Sequence, residues 1–379
     1  MFKTDVVIIG GGLAGLVSAL ELAKAGHSVT LVERKTYPFH KVCGEYVSNE
    51  VKPYLESLGV DLVNLGAATI NHLQVSAPSG RSLFSPLDMG GFGISRYTLD
   101  HTLYQLGQSA GVDFLLHHQV DNVQFHNNQF SVVVSNRYTG LTQTLTARLV
   151  VGAFGKRSKL DKTLDRSFIR RPSPYIGVKY HIKTDFPNDL IALHNFADGY
   201  CGLSAIEADK YCLCYLTSRH NLRRFGSISD MEQSVLWKNP HLKAVFTKAD
   251  FLYEKPEVIN EFSFSAKRAI ENHILMTGDS AGLITPLCGN GMAMAIRGAK
   301  LASDLANAFL HGQIARQELE KRYQQSWANQ FARRLWIGRT VQRFFGKTWL
   351  TEHAVRTLDV VKPMLRTIIR QTHGNVMTS

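Results

Sequence analysis

A short apolar run that ends in a glycine-rich turn constrains the fold of this 379-residue chain more than any other feature. Residues 4–9 are apolar and largely β-branched, residues 10–15 read GGGLAG, and apolar residues then recur at helical spacing. A second apolar run, residues 28–32, ends on Glu33. The order predicts a β–α–β unit whose G-x-G-x-x-G turn approaches a pyrophosphate, while Glu33 accepts ribose hydroxyl groups.

A second glycine-rich segment, residues 278–293, follows a short buried-strand pattern far along the chain. With these two motifs in this order, the sequence resembles the flavoprotein monooxygenase and geranylgeranyl reductase superfamily, which includes p-hydroxybenzoate hydroxylase and the flavin halogenases. The resemblance extends from residue 1 to about residue 310. It implies FAD as the cofactor and NAD(P)H as its reductant.

The same resemblance implies a set of cofactor contacts. Asp279 would bind the ribityl and pyrophosphate region, Pro286 would face the flavin ring, and the amides of residues 291–293 would meet the ring at the positive end of a helix. Arg96 would contact the phosphates, and the backbone of Val120 would meet the adenine. The complete predicted set is Gly10, Gly12, Leu13, Ala14, Gly15, Glu33, Arg34, Lys41, Val42, Cys43, Arg96, Val120, Asp279, Pro286, Gly289, Gly291, Met292 and Ala293.

Residues 40–45 read HKVCGE, which is similar to an H-K-x-C-G-E segment that geranylgeranyl reductases and some halogenases carry beside the flavin. A polar loop that contains glycine can reach a cofactor or substrate, and Lys41 adds positive charge there. Cys43 is the candidate catalytic residue, as a proton donor. The alternative is that this thiol only packs, as small free cysteines usually do.

The chain also departs from the superfamily pattern. Where family hydroxylases carry an Asp-Gly pair after a strand, residues 153–158 read AFGKRS, so the acidic residue is missing. Lys156 and Arg157 are placed instead to attract the phosphates of a hydride donor. The W-x-W-x-I-P segment of flavin halogenases is absent, which argues against halogenation.

The periodicity of the rest of the chain predicts an α/β fold. We expect a doubly wound, Rossmann-like FAD domain built from residues 1–164 and 263–311, with an inserted antiparallel substrate sheet in residues 165–262. Residues 312–379 have a helical pattern with a break near Pro363.

Composition narrows the class of protein. No apolar run is long enough for a membrane span and no signal peptide is recognisable, so we expect a cytoplasmic protein. Five cysteines without C-x-x-C spacing predict free thiols and no metal site. Residues 311–379 hold +8 of the net charge of +12, but no nucleic-acid motif accompanies them. Aromatic and basic residues alternate near residues 331–347, which indicates either a packed helix or peripheral contact with anionic lipid.

Three functions remain open at this level. The first is an NAD(P)H-dependent monooxygenase that hydroxylates an aromatic or polyketide-like substrate with O2 through a flavin C4a-hydroperoxide. It is favoured by the resemblance and by the aromatic residues Tyr200, Tyr211, Tyr215, Phe262 and Phe264 of the middle segment, although each of them taken singly is more typical of an ordinary core. The second is a reductase of isoprenoid double bonds, favoured by the HKVCGE loop. The third is a flavin-binding redox sensor or interaction protein.

Overall fold

The computed structural model describes residues 2–170, 173–260, 264–283, 289–344 and 347–378. The strands are, in chain order, β1 (Phe2–Ile9), β2 (Val29–Glu33), β3 (Tyr46–Ser48), β4 (Ala68–Ser76), β5 (Ser82–Gly93), β6 (Asp113–Leu116), β7 (His118–His126), β8 (Gln129–Asn136), β9 (Thr142–Gly152), β10 (Tyr175–Lys183), β11 (Leu190–Phe196), β12 (Gly199–Ile206), β13 (Lys210–Ser218), β14 (Asp250–Phe251), β15 (Glu257–Ile259), β16 (Ile270–Glu271) and β17 (Ile274–Met276). The helices are α1 (Leu13–Lys24), α2 (Lys52–Ser57), α3 (Arg96–Ser109), α4 (Lys159–Thr163), α5 (Arg219–Phe225), α6 (Ile228–Val235), α7 (Pro240–Lys248), α8 (Gly291–Leu310), α9 (Arg316–Phe344), α10 (Thr348–Val360) and α11 (Lys362–Thr372).

The first sheet is the predicted dinucleotide-binding layer. Its main path runs β16-β17-β9-β1-β2-β6, and β1, β2, β6, β9 and β17 are parallel along it. The carboxyl ends of parallel strands meet at one edge of a sheet, so the glycine turn after β1, Glu33 at the end of β2 and the segment after β17 converge there. Helices α1, α3 and α8 pack with this sheet in one hydrophobic core.

The second sheet has the order β14-β10-β13-β12-β11-β4-β5-β3, with β15 also paired to β10. Most of its pairs are antiparallel, but β4 and β11 run parallel. Strands β3–β5 come from residues 46–93, a part of the chain that the sequence analysis assigned to the FAD domain. Their hydrophobic residues alternate in the same way in either sheet, so periodicity alone does not say which sheet a strand joins.

Helices α5–α7 cover the outer side of the second sheet, where they form a separate hydrophobic core with β10, β12 and β13. The sequence analysis expected an antiparallel sheet in residues 165–262, and the three helices that accompany it are short. They keep that face of the sheet out of solvent. The opposite face is therefore the one available to line a site.

The helical C-terminal region packs against both layers. Phe331 and Leu335 of α9 are buried, and the guanidinium of Arg334 is buried against Glu50, with 3.3 Å between Nη1 and Oε1. These side chains face inward, which agrees with the packed-helix alternative for this part of the segment. Trp336 is 66% exposed, and contact with a membrane through the remaining surface stays a prediction. Over the described residues, no helix combines the length and apolar character needed to cross a bilayer.

Candidate active site

One large cavity of about 720 Å³ lies where the carboxyl edge of the first sheet meets the second sheet. Its nucleotide end is built by the turn between β1 and α1. Gly10 has φ +101°, and a Cβ there would lie 2.6 Å from the carbonyl oxygen of Ala153. A Cβ on Gly15 would lie 1.9 Å from the carbonyl oxygen of Gly10, so glycine is needed for the helix to pack this closely.

The N-terminus of helix α1 faces the cavity, and no acidic side chain of its first turn offsets the positive end of the helix dipole. Its N-cap is Gly12, which offers no side chain to cap the first amides, and the first turn contains no acidic residue. A Cβ on Gly12 would have nothing nearer than Lys41 Nζ and Arg96 Nη2, both at 3.7 Å. Backbone amides and two cations therefore surround one point, which is the donor set that a pyrophosphate requires.

Asp100 of α3 fixes the two cations in place. Its carboxylate accepts from Lys41 Nζ at 2.9 Å and from Arg96 Nε at 2.7 Å. Burial alone would raise the pKa of Asp100, but Arg96 and Lys41 together lower it below its ordinary value. Ser95 accepts from the backbone of Thr98 and so starts α3 directly before Arg96. The two cations and the carboxylate leave one net positive charge beside the turn.

Glu33 is buried at the end of β2 and lines the cavity. Its Oε2 accepts from the Gly11 amide at 2.8 Å and its Oε1 from the Lys35 amide at 3.0 Å, so the carboxylate is held facing the turn. Arg34 and Val120 line the same end of the cavity. Glu33, Arg34 and Val120 thus lie together on one cavity wall, and adenosine binding by them stays a prediction.

The second glycine segment lies on the facing wall. Gly278 has φ +60°, and it opens the turn Gly278–Ser280, which carries Asp279 into the cavity wall. Lys267 Nζ donates to the carbonyl oxygens of Asp279 and Lys156, both at 2.8 Å, and burial lowers the pKa of this lysine to about 8. The turn is thus tied to the AFGKRS segment, which also lines the cavity.

Helix α8 gives the cavity its second helix N-terminus. Gly289, Gly291 and Met292 line the wall, whereas Ala293 is buried in the core of the first sheet. Pro286 lies outside the described residues. Gly15, also predicted as a contact, acts through packing of the turn rather than as part of the cavity wall that the structure describes. The remaining predicted cofactor residues all line this one cavity.

The HKVCGE loop separates the nucleotide end from the rest of the cavity, and all six of its residues line the wall. Glu45 is fully buried with φ +55°. Its Oε1 accepts from Lys179 Nζ at 2.5 Å and from the Arg96 amide at 2.8 Å, and its Oε2 pairs with His181 Nε2 at 2.6 Å. Burial alone would raise the pKa of Glu45, but Lys179 and His181 outweigh it and lower the pKa to about 2.

The sequence analysis missed Lys179 and His181. Both lie on β10, two residues apart and therefore on one face, in the otherwise apolar run YIGVKYHIK. Two charged or titratable residues on one face of a buried strand were the available signal. Glu45, His181 and Cys212 also bring ligand atoms within 4.8 Å of one another, but Lys179 already holds the carboxylate, so a metal ion would have to displace its ammonium.

Beyond the loop, the cavity wall is mainly aliphatic. The second sheet contributes aliphatic side chains from several of its strands, and α11 closes the other side. They include Leu73, Val75, Leu87, Ile191, Leu193, Leu216, Leu365, Ile368 and Ile369. The side of the cavity formed by α11 was also missed, because an amphipathic helix at the end of a chain does not reveal which surface it covers.

Of the four described aromatic residues proposed for substrate contact, two line the cavity and two do not. Tyr200 lines the cavity and Tyr215 borders it, but the Tyr215 hydroxyl donates to Glu232 at 2.7 Å in the outer core. Tyr211 donates to the carbonyl oxygen of Phe186, and Phe264 packs beside Tyr175. Phe262 lies outside the described residues. Aromatic residues of the middle segment therefore serve both the cavity wall and the core, and their contact with an aromatic substrate stays a prediction.

Fold and site together fit FAD: two helix N-termini, a cation pair and a ribose carboxylate face one cavity, and a glycine cradle leaves room for phosphate. They define a FAD-dependent oxidoreductase. The FAD binding domain family matches residues 3–335, and the protein belongs to that family. This confirms the resemblance on which the sequence analysis relied.

The proteins that this chain resembles are named for different activities. It is 26% identical over 365 residues to conditioned medium factor receptor 1 of Dictyostelium discoideum, covering 90% of this chain and 70% of that protein. It is 23% identical over 364 residues to digeranylgeranylglycerophospholipid reductase 1 of Methanococcoides burtonii, covering 89% and 83%. The fold of PqsL, a probable FAD-dependent monooxygenase from Pseudomonas aeruginosa, matches with a TM-score of 0.74 at 19% identity, covering 94% and 100%.

Proposed function

We propose that the protein is an NAD(P)H-dependent reductase of carbon–carbon double bonds in a lipophilic, isoprenoid-like chain. The observation that carries the proposal is the aliphatic part of the cavity beyond the HKVCGE loop, with walls from the second sheet and α11. We call this part the aliphatic chamber; Cys43 lines the same cavity. Such walls bind a chain of methylene and methyl groups by excluding water from it. The similarity to a digeranylgeranylglycerophospholipid reductase points the same way.

The residues of the chain divide the reaction between them. Lys41, Arg96 and the start of α1 bind the pyrophosphate of FAD, and the start of α8 places positive dipole near the ring. When bound, FAD supplies the hydride that NAD(P)H delivers. Cys43 holds a proton on Sγ at the cavity wall and gives it to the second alkene carbon, so one hydride and one proton saturate one double bond.

Oxygen transfer to an aromatic substrate is the second candidate function. Tyr200 on the chamber wall favours it, because one aromatic ring among aliphatic side chains can stack on a planar substrate. The similarity in fold to PqsL is consistent with this alternative. Hydroxylation consumes O2, whereas double-bond reduction does not, so the dependence of turnover on O2 distinguishes the two functions.

The test is turnover of the purified holoprotein with NADH or NADPH, with and without O2, against a panel of geranylgeranyl lipids and a panel of phenols and aminobenzoyl compounds. We expect isoprenoids to gain two hydrogen atoms per double bond, in the absence of O2, as measured by mass spectrometry. Aromatic products that gain an oxygen atom only in the presence of O2 would favour the second candidate. Consumption of NAD(P)H without any product from either panel would contradict both.

A further inference from the structure

A chain of hydrogen bonds runs from His40, on the cavity wall, to the buried carboxylate of Glu45, which lies two residues after Cys43 in the sequence. A ring nitrogen of His40 lies 3.2 Å from the Tyr253 hydroxyl, which lies 2.6 Å from His181 Nδ1. His181 Nε2 is 2.6 Å from Glu45 Oε2, and Oε1 of the same carboxylate is 2.5 Å from Lys179 Nζ. Each member can both release and accept a proton.

The two ends of this chain differ in their access to water. Glu45 and Lys179 are completely buried and His181 is 2% exposed, whereas Tyr253 and His40 are partly exposed. Tyr253 and His40 therefore offer protons from solvent a route to the inner carboxylate. Burying an ion pair costs several kcal/mol in desolvation, which an ordinary loop connection would not require.

The surroundings keep the outer histidine in a defined state. Burial, Lys179 and His181 lower the pKa of His40 to about 4, so His40 is neutral at physiological pH. The titratable and charged groups that face the chain come from the HKVCGE loop, α3, β10, β13, β15 and the segment before β15. They are His40, Lys41, Cys43, Arg96, Asp100, Lys179, Lys210, Cys212, Cys214, Tyr253 and Glu257.

We propose that Tyr253, His181 and Glu45 form a proton path that resupplies the cavity wall at Cys43 from solvent. When Cys43 has given up its proton, Glu45 takes the Nε2 proton of His181 and passes a proton to the Cys43 thiolate, while the Tyr253 hydroxyl proton moves to Nδ1. Solvent at the rim then restores the proton of Tyr253. The imidazole changes tautomer without gaining charge, and one proton is transferred in total.

This inference rests on the proposed function only in that a proton is consumed inside the cavity. A substrate-free reaction with the same demand is reduction of bound FAD by reduced methyl viologen. Two viologen radicals give up one electron each, and the flavin takes up both electrons and one proton from the protein to become the reduced anion. No hydride donor and no alkene is needed, so the path can be tested even if double-bond reduction is never observed.

The central variant is Tyr253→Phe, which interrupts the path but leaves the Glu45–Lys179 ion pair intact. In anaerobic stopped-flow experiments with a pH indicator dye, we expect flavin reduction and proton uptake to slow by at least about tenfold, with a larger solvent isotope effect in D2O. His181→Gln interrupts the path one step deeper and should reproduce the defect. FAD content and the circular dichroism spectrum verify that both variants are folded and loaded.

Tyr97→Phe is the matched control. Tyr97 stacks on His40 with 4.7 Å between ring centroids, is 40% exposed, and contributes no hydroxyl to the path. We expect it to behave as the wild type. Equal rates and equal isotope effects for Tyr253→Phe and Tyr97→Phe would overturn the path, whereas absence of alkene reduction in the wild type would overturn the proposed function alone.

Discussion

Substituting alanine for Gly12 should separate cofactor binding from folding. The added Cβ would meet no protein atom closer than 3.7 Å, and the backbone of Gly12 is extended, with φ −88° and ψ −176°, which alanine also adopts. The methyl group would instead occupy the space between the first amides of α1 and the side chains of Lys41 and Arg96. A pyrophosphate bound there would have to move away from the helix.

The expected magnitudes follow from these contacts. Losing one backbone hydrogen bond to a charged phosphate costs about 1.5–3 kcal/mol, which weakens FAD binding by about 10- to 150-fold. Alanine is a poorer N-cap than glycine by about 0.5–1 kcal/mol, but it reduces the entropy of the unfolded chain by a similar amount. The free energy of unfolding of the apoprotein should therefore change by no more than about 0.5 kcal/mol.

Gly15→Ala provides the contrast, because its Cβ would lie 1.9 Å from a backbone oxygen. Overpacking of this kind costs about 1–3 kcal/mol, so this variant should be less stable even without FAD. The assay is urea unfolding of the apoproteins together with titration by FAD, followed by flavin fluorescence. FAD affinity of Gly12→Ala within about threefold of the wild type, or equal destabilisation by the two substitutions, would refute the reasoning.

Four further outcomes are expected. Asp279→Ala should lose FAD during gel filtration while its circular dichroism spectrum is unchanged, because a cavity carboxylate that accepts from the cofactor is removed; full flavin content would argue against that role. Cys43→Ser should lose about a hundredfold or more in turnover with normal reduction of the flavin by NAD(P)H, whereas retained turnover would favour oxygen transfer. Arg334→Gln should lower the free energy of unfolding by about 3 kcal/mol, because it removes a cation that compensates the buried carboxylate of Glu50. The control is Arg333→Gln at the exposed neighbouring position, which should change the free energy of unfolding by less than about 0.5 kcal/mol. Similar values for the two variants would contradict the buried contact. The pKa of Glu45 falls from 4.5 to about 2 on folding. Its contribution of about 3 kcal/mol to the free energy of unfolding is therefore complete above pH 4.5 and is lost as the pH falls toward 2. A free energy of unfolding in urea that does not change across this pH range would be inconsistent with the ion pair.

The nucleotide-binding half was predictable because its signals are local. A turn of six residues fixes the backbone approach, and a strand of five residues places Glu33 beside it, so spacing along the chain determines spacing in the structure. Arg96 was predicted as a phosphate contact from the resemblance to the flavoprotein superfamily, and not from local spacing. Its ion pair with Asp100, four residues later on α3, is what holds it at the turn.

The remainder of the site depends on contacts between distant segments. Glu45 contacts Lys179 and His181, which lie more than 130 residues further along the chain, and the spacing of these residues in the sequence does not predict the contact. The same holds for Leu365 of α11, which reaches the cavity because the chain after α9 folds back across β4 and β5. Periodicity predicts that such side chains are buried, but not which partner buries them.

The distribution of charge along the cavity explains why one fold can host different reactions. Positive charge is concentrated at the nucleotide end, where Lys41, Arg96 and the start of α1 are placed to bind phosphate. The far end has mainly aliphatic walls, which select by shape and exclude water but donate little. Cys43 and the buried carboxylate of Glu45 lie in the loop between the two ends, where the proposed proton transfer would take place. Substrate and reaction can therefore change by altering the walls and this loop while the cofactor-binding half stays the same.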